Sequence, residues 1–473
     1  MSTNAINQNK MEVEVVKNEE VKLSTGTKIS YGLGDLASQF VWTFIGSYLL
    51  LFYTDVVGLA PAVVAVLMLV SRIWDGINDP MLGILADRTK SKHGRFRPYI
   101  LYGTPFLAIF SVLVFTAPSF GGNTIAQIAW ATFTYIMLGM LYTVVNLPYG
   151  SLGAVMTKDP EERQAVSSYR MVGKQLGGVT LSFISMPIIL FFSQSDQPTA
   201  YGFTMTALIF ASLAVPLFYL VFFKCKEVVT PINPNKVPVK QSLKMIVSSK
   251  PLMCIFFIML LTMTAFFGRM GTVIYYYMYV VQRMELVAIF MPLPFIATAI
   301  GIILFSRFAT KVGKKNMLYI SYSSALASLV FLYFVDFSNI PLLLVGTFWY
   351  GLSLFGFPIL IAMVPDAIDH MEHKKGIRVD GAANAAISLS TKFGSAISGS
   401  GALVLLAVFG YVANTEQTAE AINGINMVVN LMPALLFGLA MIIVKFYGLT
   451  EQRATEVRLS LAKKRIQSGN IVS

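Results

Sequence analysis

The chain has 473 residues, 55% of them hydrophobic and 13% charged, and a mean hydropathy of +0.66. A soluble domain carries about 25% charged residues, so this composition excludes a soluble globular protein and predicts an all-α polytopic membrane protein. The net charge of +12 then belongs to loops on the cytoplasmic side rather than to a nucleic-acid surface. Two cysteines, Cys225 and Cys254, are too few for a disulfide framework or a thiolate metal site.

In chain order, residues 1–26 are polar and mixed in charge (Glu12, Glu14, Lys17, Glu19, Glu20, Lys22), without a signal-peptide pattern, and read as a cytosolic tail. Twelve apolar runs follow, at 28–53, 60–86, 98–117, 124–156, 164–193, 200–224, 248–280, 285–306, 316–335, 341–365, 381–411 and 423–447. Each is near or above the roughly 20 residues that a spanning helix needs. The longer ones predict tilt or protrusion.

Basic residues fall in alternate connections. Arg88, Lys90, Lys92, Arg95 and Arg97 follow the second run, and Lys224, Lys226, Lys236, Lys240, Lys244 and Lys250 surround the central connection. Lys311, Lys314 and Lys315 follow the eighth, and Lys374, Lys375 and Arg378 the tenth. The intervening connections hold no Lys or Arg except Arg283. This predicts a multi-pass protein of the cell membrane with both termini cytoplasmic.

The central connection, with Pro231, Pro234 and Pro238, has linker composition. It divides the chain into a six-helix bundle at 27–225, a cytoplasmic linker at 226–247, a second six-helix bundle at 248–447 and a cytosolic tail at 448–473. A weak repeat supports the division. Gly83-Ile-Leu-Ala-Asp87-Arg88 through Gly94-Arg95 follows the second run, and Arg307-Phe-Ala-Thr-Lys311-Val-Gly313-Lys314-Lys315 follows the eighth. Parallel halves with a site at their interface are a transporter architecture.

Charges interrupt the second run. Arg72, Asp75 and Asp79, spaced i, i+3, i+7, share one stripe of a helix. Each costs on the order of 2.5–3.5 kcal/mol at the centre of a spanning helix, and such residues mark ion or substrate paths. Two carboxylates and one Arg leave a negative charge that wants a mobile cation. The alternative is a structural Arg–Asp pair that pins helices together.

Several further motifs stand in order: Tyr31-Gly-Leu-Gly-Asp35, Phe52-Tyr-Thr-Asp55-Val-Val-Gly, Arg72-Ile-Trp-Asp75-Gly-Ile-Asn78-Asp79-Pro80, Gly94-Arg-Phe-Arg-Pro98, Leu147-Pro-Tyr149-Gly150 and Val364-Pro-Asp366. Together they resemble the glycoside–pentoside–hexuronide:cation symporter family, which has the major facilitator fold, over residues 28 to 450 or so. The resemblance implies that Asp75 and Asp79 hold the coupling cation, Na⁺ or H⁺, with Asn78 and Thr143 as neutral ligands, and that Lys392 of the eleventh helix approaches the same acids. Hard cations and protons suit carboxylate oxygens. Pairing with Asp75 or Asp79 across the halves is the cheapest satisfaction of a buried lysine; snorkelling to an interface is the alternative.

By the same resemblance Gln39, Arg72, Asn146, Arg170, Arg269, Phe357 and Lys392 line the sugar site. Gln39 and Asn146 stand where the melibiose branch has carboxylates, and Gly150 where it has a Trp. The resemblance is therefore nearer the glucuronide and pentoside branches. Arg170, Lys174 and Arg269 make the cavity more positive, which suits a uronate carboxylate; equally, the two arginines could cap carbonyls or pair with Asp35.

Nothing predicts an enzyme. There is no phosphate-binding Gly loop, metal-ligand spacing or nucleophile elbow, and no cofactor is implied. The expected function is import of a glycoside with a monovalent cation by alternating access. The alternatives are transport of a non-sugar amphiphile, or facilitated sugar exchange without cation coupling. The expected partners are a small sugar, the cation and the bilayer, with no nucleic acid.

Overall fold

The computed structural model describes residues 22–89, 91–157, 159–195, 197–228, 245–376 and 380–467. Most of the expected first tail, Lys90, the core of the central linker with Lys236, Lys240 and Lys244, and Arg378 lie outside these residues.

The described residues form thirteen helical elements: α1 (Thr25–Val56), α2 (Pro61–Arg88), α3 (Arg97–Leu113), α4 (Thr124–Val155), α5 (Pro160–Ser193), α6 (Ala200–Lys224), α7 (Lys250–Val280), α8 (short turns Met284–Leu286 and Val287–Phe290, then Leu293–Val312), α9 (Lys314–Phe334), α10 (Ile340–Lys375), α11 (Asp380–Val408), α12 (Ala419–Phe446) and α13 (Glu451–Gln467). Eleven of these hold a stretch long and apolar enough to cross a membrane. The 17 residues of α3 sit at the lower limit of a span and complete the twelve.

Local signals explain the boundaries. Ser24, Asn123, Thr199 and Thr418 each accept a backbone N–H of the first turn they precede, in α1, α4, α6 and α12. Pro61 and Pro251 open α2 and α7, where no N–H is needed. One expectation is refined. The tenth helix does not end near residue 365 but runs on to Lys375, carrying Asp366 with it. Within the expected tail at 448–473, α13 packs against the end of α10, with Arg458 3.8 Å from Asp366.

The packing repeats with an offset of six helices. In the first half α1 packs on α5 and α6, α2 on α4, and α3 on α4 and α6. In the second half α7 packs on α11 and α12, α8 on α10, and α9 on α10 and α12. The halves meet through α1–α7, α2–α11 and α5–α8. This is a two-fold arrangement of two six-helix bundles.

The halves are sealed unevenly. One apolar core fills the first half and continues into Ile274–Val280, Leu403, Leu406 and Val428, at the ends of α7, α11 and α12 away from the termini. The rest of the second half has a separate core. The seam at this opposite face is closed around Asp55, which ends α1 in a π-helical turn. Its carboxylate accepts from the hydroxyls of Thr54 (2.5 Å), of Tyr279, and of Tyr411 (2.7 and 2.8 Å). Its backbone carbonyl accepts from Asn414 Nδ2 at 2.6 Å, and Thr54 bonds the Tyr275 hydroxyl at 2.8 Å. All but Thr54 come from the second half. Tyr279 lies in a matching π-helical turn at the end of α7.

Candidate functional site

The charged stripe of α2 faces α4 and α11. Asp75 is buried, and Arg72 Nη1 donates to its Oδ2 at 3.0 Å, while Nη2 donates to the Tyr135 hydroxyl of α4 at 2.9 Å. The guanidinium lies 4.6 Å from the centre of the Trp42 ring of α1, which in turn stacks on Tyr142. Arg72 is thus fixed by a carboxylate, a phenol and a π face together. Thr143 of α4 donates to Asp79 Oδ1 at 2.9 Å. The ammonium of Lys392, from α11, pairs with Asp79 Oδ2 across the seam.

Two acids therefore face two bases, and the cluster is neutral. α2 alone carries a net negative charge, and Lys392, expected at these acids, supplies the balancing base from the other half of the chain. One carboxylate oxygen remains unused. Among the described residues, Asp75 Oδ1 and Asn78 Nδ2 are buried without a hydrogen-bond partner. A Cβ on Gly139 would lie 2.7 Å from that oxygen, so only glycine leaves α4 room beside it. Buried polar atoms are nearly always bonded, and an orphan acceptor beside an orphan amide offers oxygens to a small cation once the amide is turned.

The expected sugar-site residues divide. Gln39 is buried in α1 and accepts from Thr43 at 2.5 Å, and Asn146 of α4 donates to Ser38 at 3.3 Å. Near them Arg170 of α5 donates through Nε to Asp35 Oδ2 at 2.5 Å and through Nη2 to Oδ1 at 3.3 Å. Tyr149 donates to the same Oδ2, and its ring and that of Tyr31 flank the guanidinium. Arg269 is buried within the second half, donating to the Val429 carbonyl at 3.0 Å and to Asn430 Oδ1 at 2.6 Å beneath the Tyr350 ring. Phe357 packs against the second-half core. Arg72, Asp75, Asn78, Asp79, Thr143 and Lys392 thus come together. Gln39, Asn146 and Arg170 form a polar group of their own among α1, α4 and α5, and Arg269 and Phe357 are engaged elsewhere.

Sequence reasoning did not single out Trp42, Tyr135, Ser395 or Ser398. They line a cavity of about 50 Å³ with Arg72 and Phe267, between the halves. The available signal was positional, since Trp42 lies between Gln39 and the Asp55 motif on α1, and Ser395 and Ser398 follow Lys392 by one and two turns.

The model of the MFS/sugar transport protein family matches residues 30–451. The chain belongs to this family. It is 33% identical to the isoprimeverose transporter of Lactiplantibacillus pentosus over 424 residues, 89% of this chain and 88% of that protein. It is 30% identical to an inner membrane symporter of Escherichia coli (strain K12), over 94% of this chain and 97% of the other. The fold resembles the crystal structure of the nucleoside transporter NupG, with a TM-score of 0.59 at 14% identity, covering 89% of this chain and 99% of that one. The twelve helices in two bundles are the major facilitator fold, and this transporter is a multi-pass membrane protein rather than an enzyme.

Proposed function

We propose that the transporter carries a neutral glycoside together with one monovalent cation, Na⁺ or H⁺, by alternating access, with the face bearing both termini in the cytoplasm. The basic residues concentrated at that face support the orientation. The seal around Asp55 then lies on the outside.

The observation that carries the coupling is the free Oδ1 of Asp75 beside the Lys392–Asp79 pair. A cation at Asp75 and Asn78 adds a positive charge to a neutral cluster that already holds Arg72 and Lys392. The long, partly exposed lysine is the group able to yield. Because its pair ties α2 to α11, cation arrival bears on the contact between the halves, and sugar and cation affinities become reciprocally linked.

The arginine partners favour a neutral substrate over a uronate. Arg170 donates to Asp35 through Nε and Nη2, and Arg269 is buried and donates through Nη1 to Asn430 and a carbonyl, so a substrate carboxylate would compete with Asp35 at the first and would have to reach a buried group at the second. Gln39 and Asn146 offer amides suited to hydroxyls, and isoprimeverose, the substrate named for one relative, is a neutral sugar. The test is uptake of neutral glycosides and glucuronides into vesicles at rising Na⁺ and falling pH, for wild type and Asp75→Asn. Wild type should accumulate a neutral glycoside against its gradient. Asp75→Asn should keep downhill exchange and lose cation-driven accumulation. Accumulation by Asp75→Asn would remove this carboxylate from the coupling site.

A further inference from the structure

A second cavity exists besides the one between Arg72 and Ser398. It lies at the opposite face, outside the Asp55 closure, with a volume of about 740 Å³. That is within the roughly 300–1,000 Å³ of ordinary small-molecule sites, whereas the cavity between Arg72 and Ser398 measures about 50 Å³. Its wall carries Gln197, Gln282, Glu285 and Glu416, and its floor Tyr279 and Asn414. Among the described residues, no Lys or Arg lines it.

The lining chemistry is selective. Amides and a phenol both donate to and accept from hydroxyls. Two carboxylates accept from hydroxyls and repel anions. A neutral polyol is the ligand class that satisfies all of these groups, and a uronate is rejected by charge.

The floor connects the cavity to the closure. Asn414 Nδ2 holds the Asp55 carbonyl at 2.6 Å, its backbone N–H donates to the Tyr279 hydroxyl at 3.1 Å, and that hydroxyl donates to the Asp55 carboxylate. A hydroxyl-bearing ligand in the basin competes for the atoms that keep the outer seam shut. The backbone is also unusual here. The non-glycine residues with left-handed φ among those described are Gln194, Gln282 and Asn414, at +51°, +58° and +58°, and the last two line this cavity. Non-glycine residues in that region are uncommon and collect at ligand clamps and switches.

We infer that this basin is an outer capture subsite for neutral glycosides, whose occupancy loosens the Asp55 closure and feeds the central path. The inference rests on the glycoside reading and the orientation proposed above.

The test is isoprimeverose transport by the full-length protein in oriented vesicles, comparing wild type with Gln282→Ala/Glu416→Ala. The expected result is a KM for influx from the basin side raised about fivefold or more at an unchanged maximal influx rate, with the KM for efflux from the other side unchanged and the maximal efflux rate lowered to match, since Vmax/KM must fall equally in both directions when no gradient is imposed. A second variant, Glu285→Lys/Glu416→Lys, should make methyl glucuronide a stronger inhibitor of influx than of efflux. An unchanged influx KM in the first variant, or equal changes in the influx and efflux KM, overturns the subsite and leaves the glycoside reading standing. A wild type inert to isoprimeverose and to other neutral glycosides overturns both.

Discussion

Lys392 of α11 and Asp79 of α2 form an ion pair that joins the two halves of the chain, and Thr143 holds the other oxygen of the same carboxylate. The pair is coupled to its neighbour, since Asp75 lies one turn away and is bound by Arg72. Neither acid can be changed without altering the balance of a four-charge cluster.

Lys392→Ala should therefore destabilise more than its contacts suggest, by leaving Asp79 uncompensated. Removing one partner of a fully buried pair costs about 3–5 kcal/mol. With 36% of its side chain exposed, Lys392 should fall below that range, at about 1–3 kcal/mol, the scale of a bond to a charged group. Adding Asp79→Asn to Lys392→Ala should restore part of the loss. A double-mutant cycle on thermal unfolding in detergent measures this, and strictly additive effects would mean that the pair contributes nothing.

Close packing of α1 on α5 depends on glycine. A Cβ on Gly173 would collide with the Gly32 carbonyl group, and one on Gly32 would lie 2.6 Å from the Tyr169 oxygen. Both approaches involve backbone, which cannot swing aside. Gly173→Ala should cost about 1–3 kcal/mol by overpacking, whereas Gly401→Ala, with nothing within 4 Å of its Cβ, should be neutral. Thermal-shift measurement on the two variants separates a packing effect from a general loss of backbone freedom.

The α2 cluster was legible because Arg72, Asp75, Asp79 and Lys392 contrast with the apolar runs that contain them. Trp42 and Tyr135 carried no such contrast in a chain that is 13% aromatic. Their role comes from cross-helix placement over Arg72, which no spacing along one helix encodes. The partner of Arg170 was open for the same reason, since Asp35 lies 135 residues away. The balancing base comes from α11, so the charges on α2 alone do not show it; the resemblance that placed Lys392 near these acids does. The opposite-face seam was not legible in the sequence. Its tyrosines gain meaning from Asp55, which two π-helical turns bring into register.

Glu227, just beyond α6, supplies what the start of α3 lacks. The Phe96 cap has no side-chain acceptor, and the Glu227 carboxylate accepts the backbone N–H groups of Arg95, Phe96 and Arg97 at 2.9, 2.8 and 3.2 Å. Glu227→Ala should cost about 1–2 kcal/mol, as loss of a helix cap does, and Glu227→Gln less, because one amide oxygen still accepts. Melting temperatures in the order wild type, Gln, Ala check this; equal values for all three would show that solvent caps α3 as well.

Burial pushes the Cys225 thiol up to about 12. The group gains its charge only near that pH, so at pH 7–9 it remains a neutral thiol and a poor nucleophile. Maleimide should leave Cys225 unlabelled in the folded protein at pH 8 and label it after denaturation, as mass spectrometry would show. Rapid labelling of the native protein would mean that the end of α6 opens to solvent.

That inertness, with Cys254 replaced by Ser, helps a cysteine-labelling assay of the closure at the opposite face. The Tyr411 hydroxyl donates to both oxygens of the Asp55 carboxylate, at 2.8 and 2.7 Å, and the ring packs edge-on against Tyr275 and Tyr279. Tyr411→Phe keeps the ring and removes the hydroxyl. In the closed state the carboxylate loses a donor that water cannot easily replace, since Tyr411 is only 3% exposed. In the opened state water solvates Asp55 whether or not the hydroxyl is present. The loss therefore falls on the closed state alone, at about 1.5–3 kcal/mol for a bond to a charged group, which shifts the equilibrium roughly 10- to 100-fold toward opening at that face. Ser398→Cys, placed in the central cavity, should then react at least tenfold faster with an impermeant maleimide added from the Asp55 side when Tyr411→Phe is also present. An unchanged rate, in a variant with wild-type melting behaviour, would show that the Tyr411 hydroxyl contributes nothing to holding the seam shut.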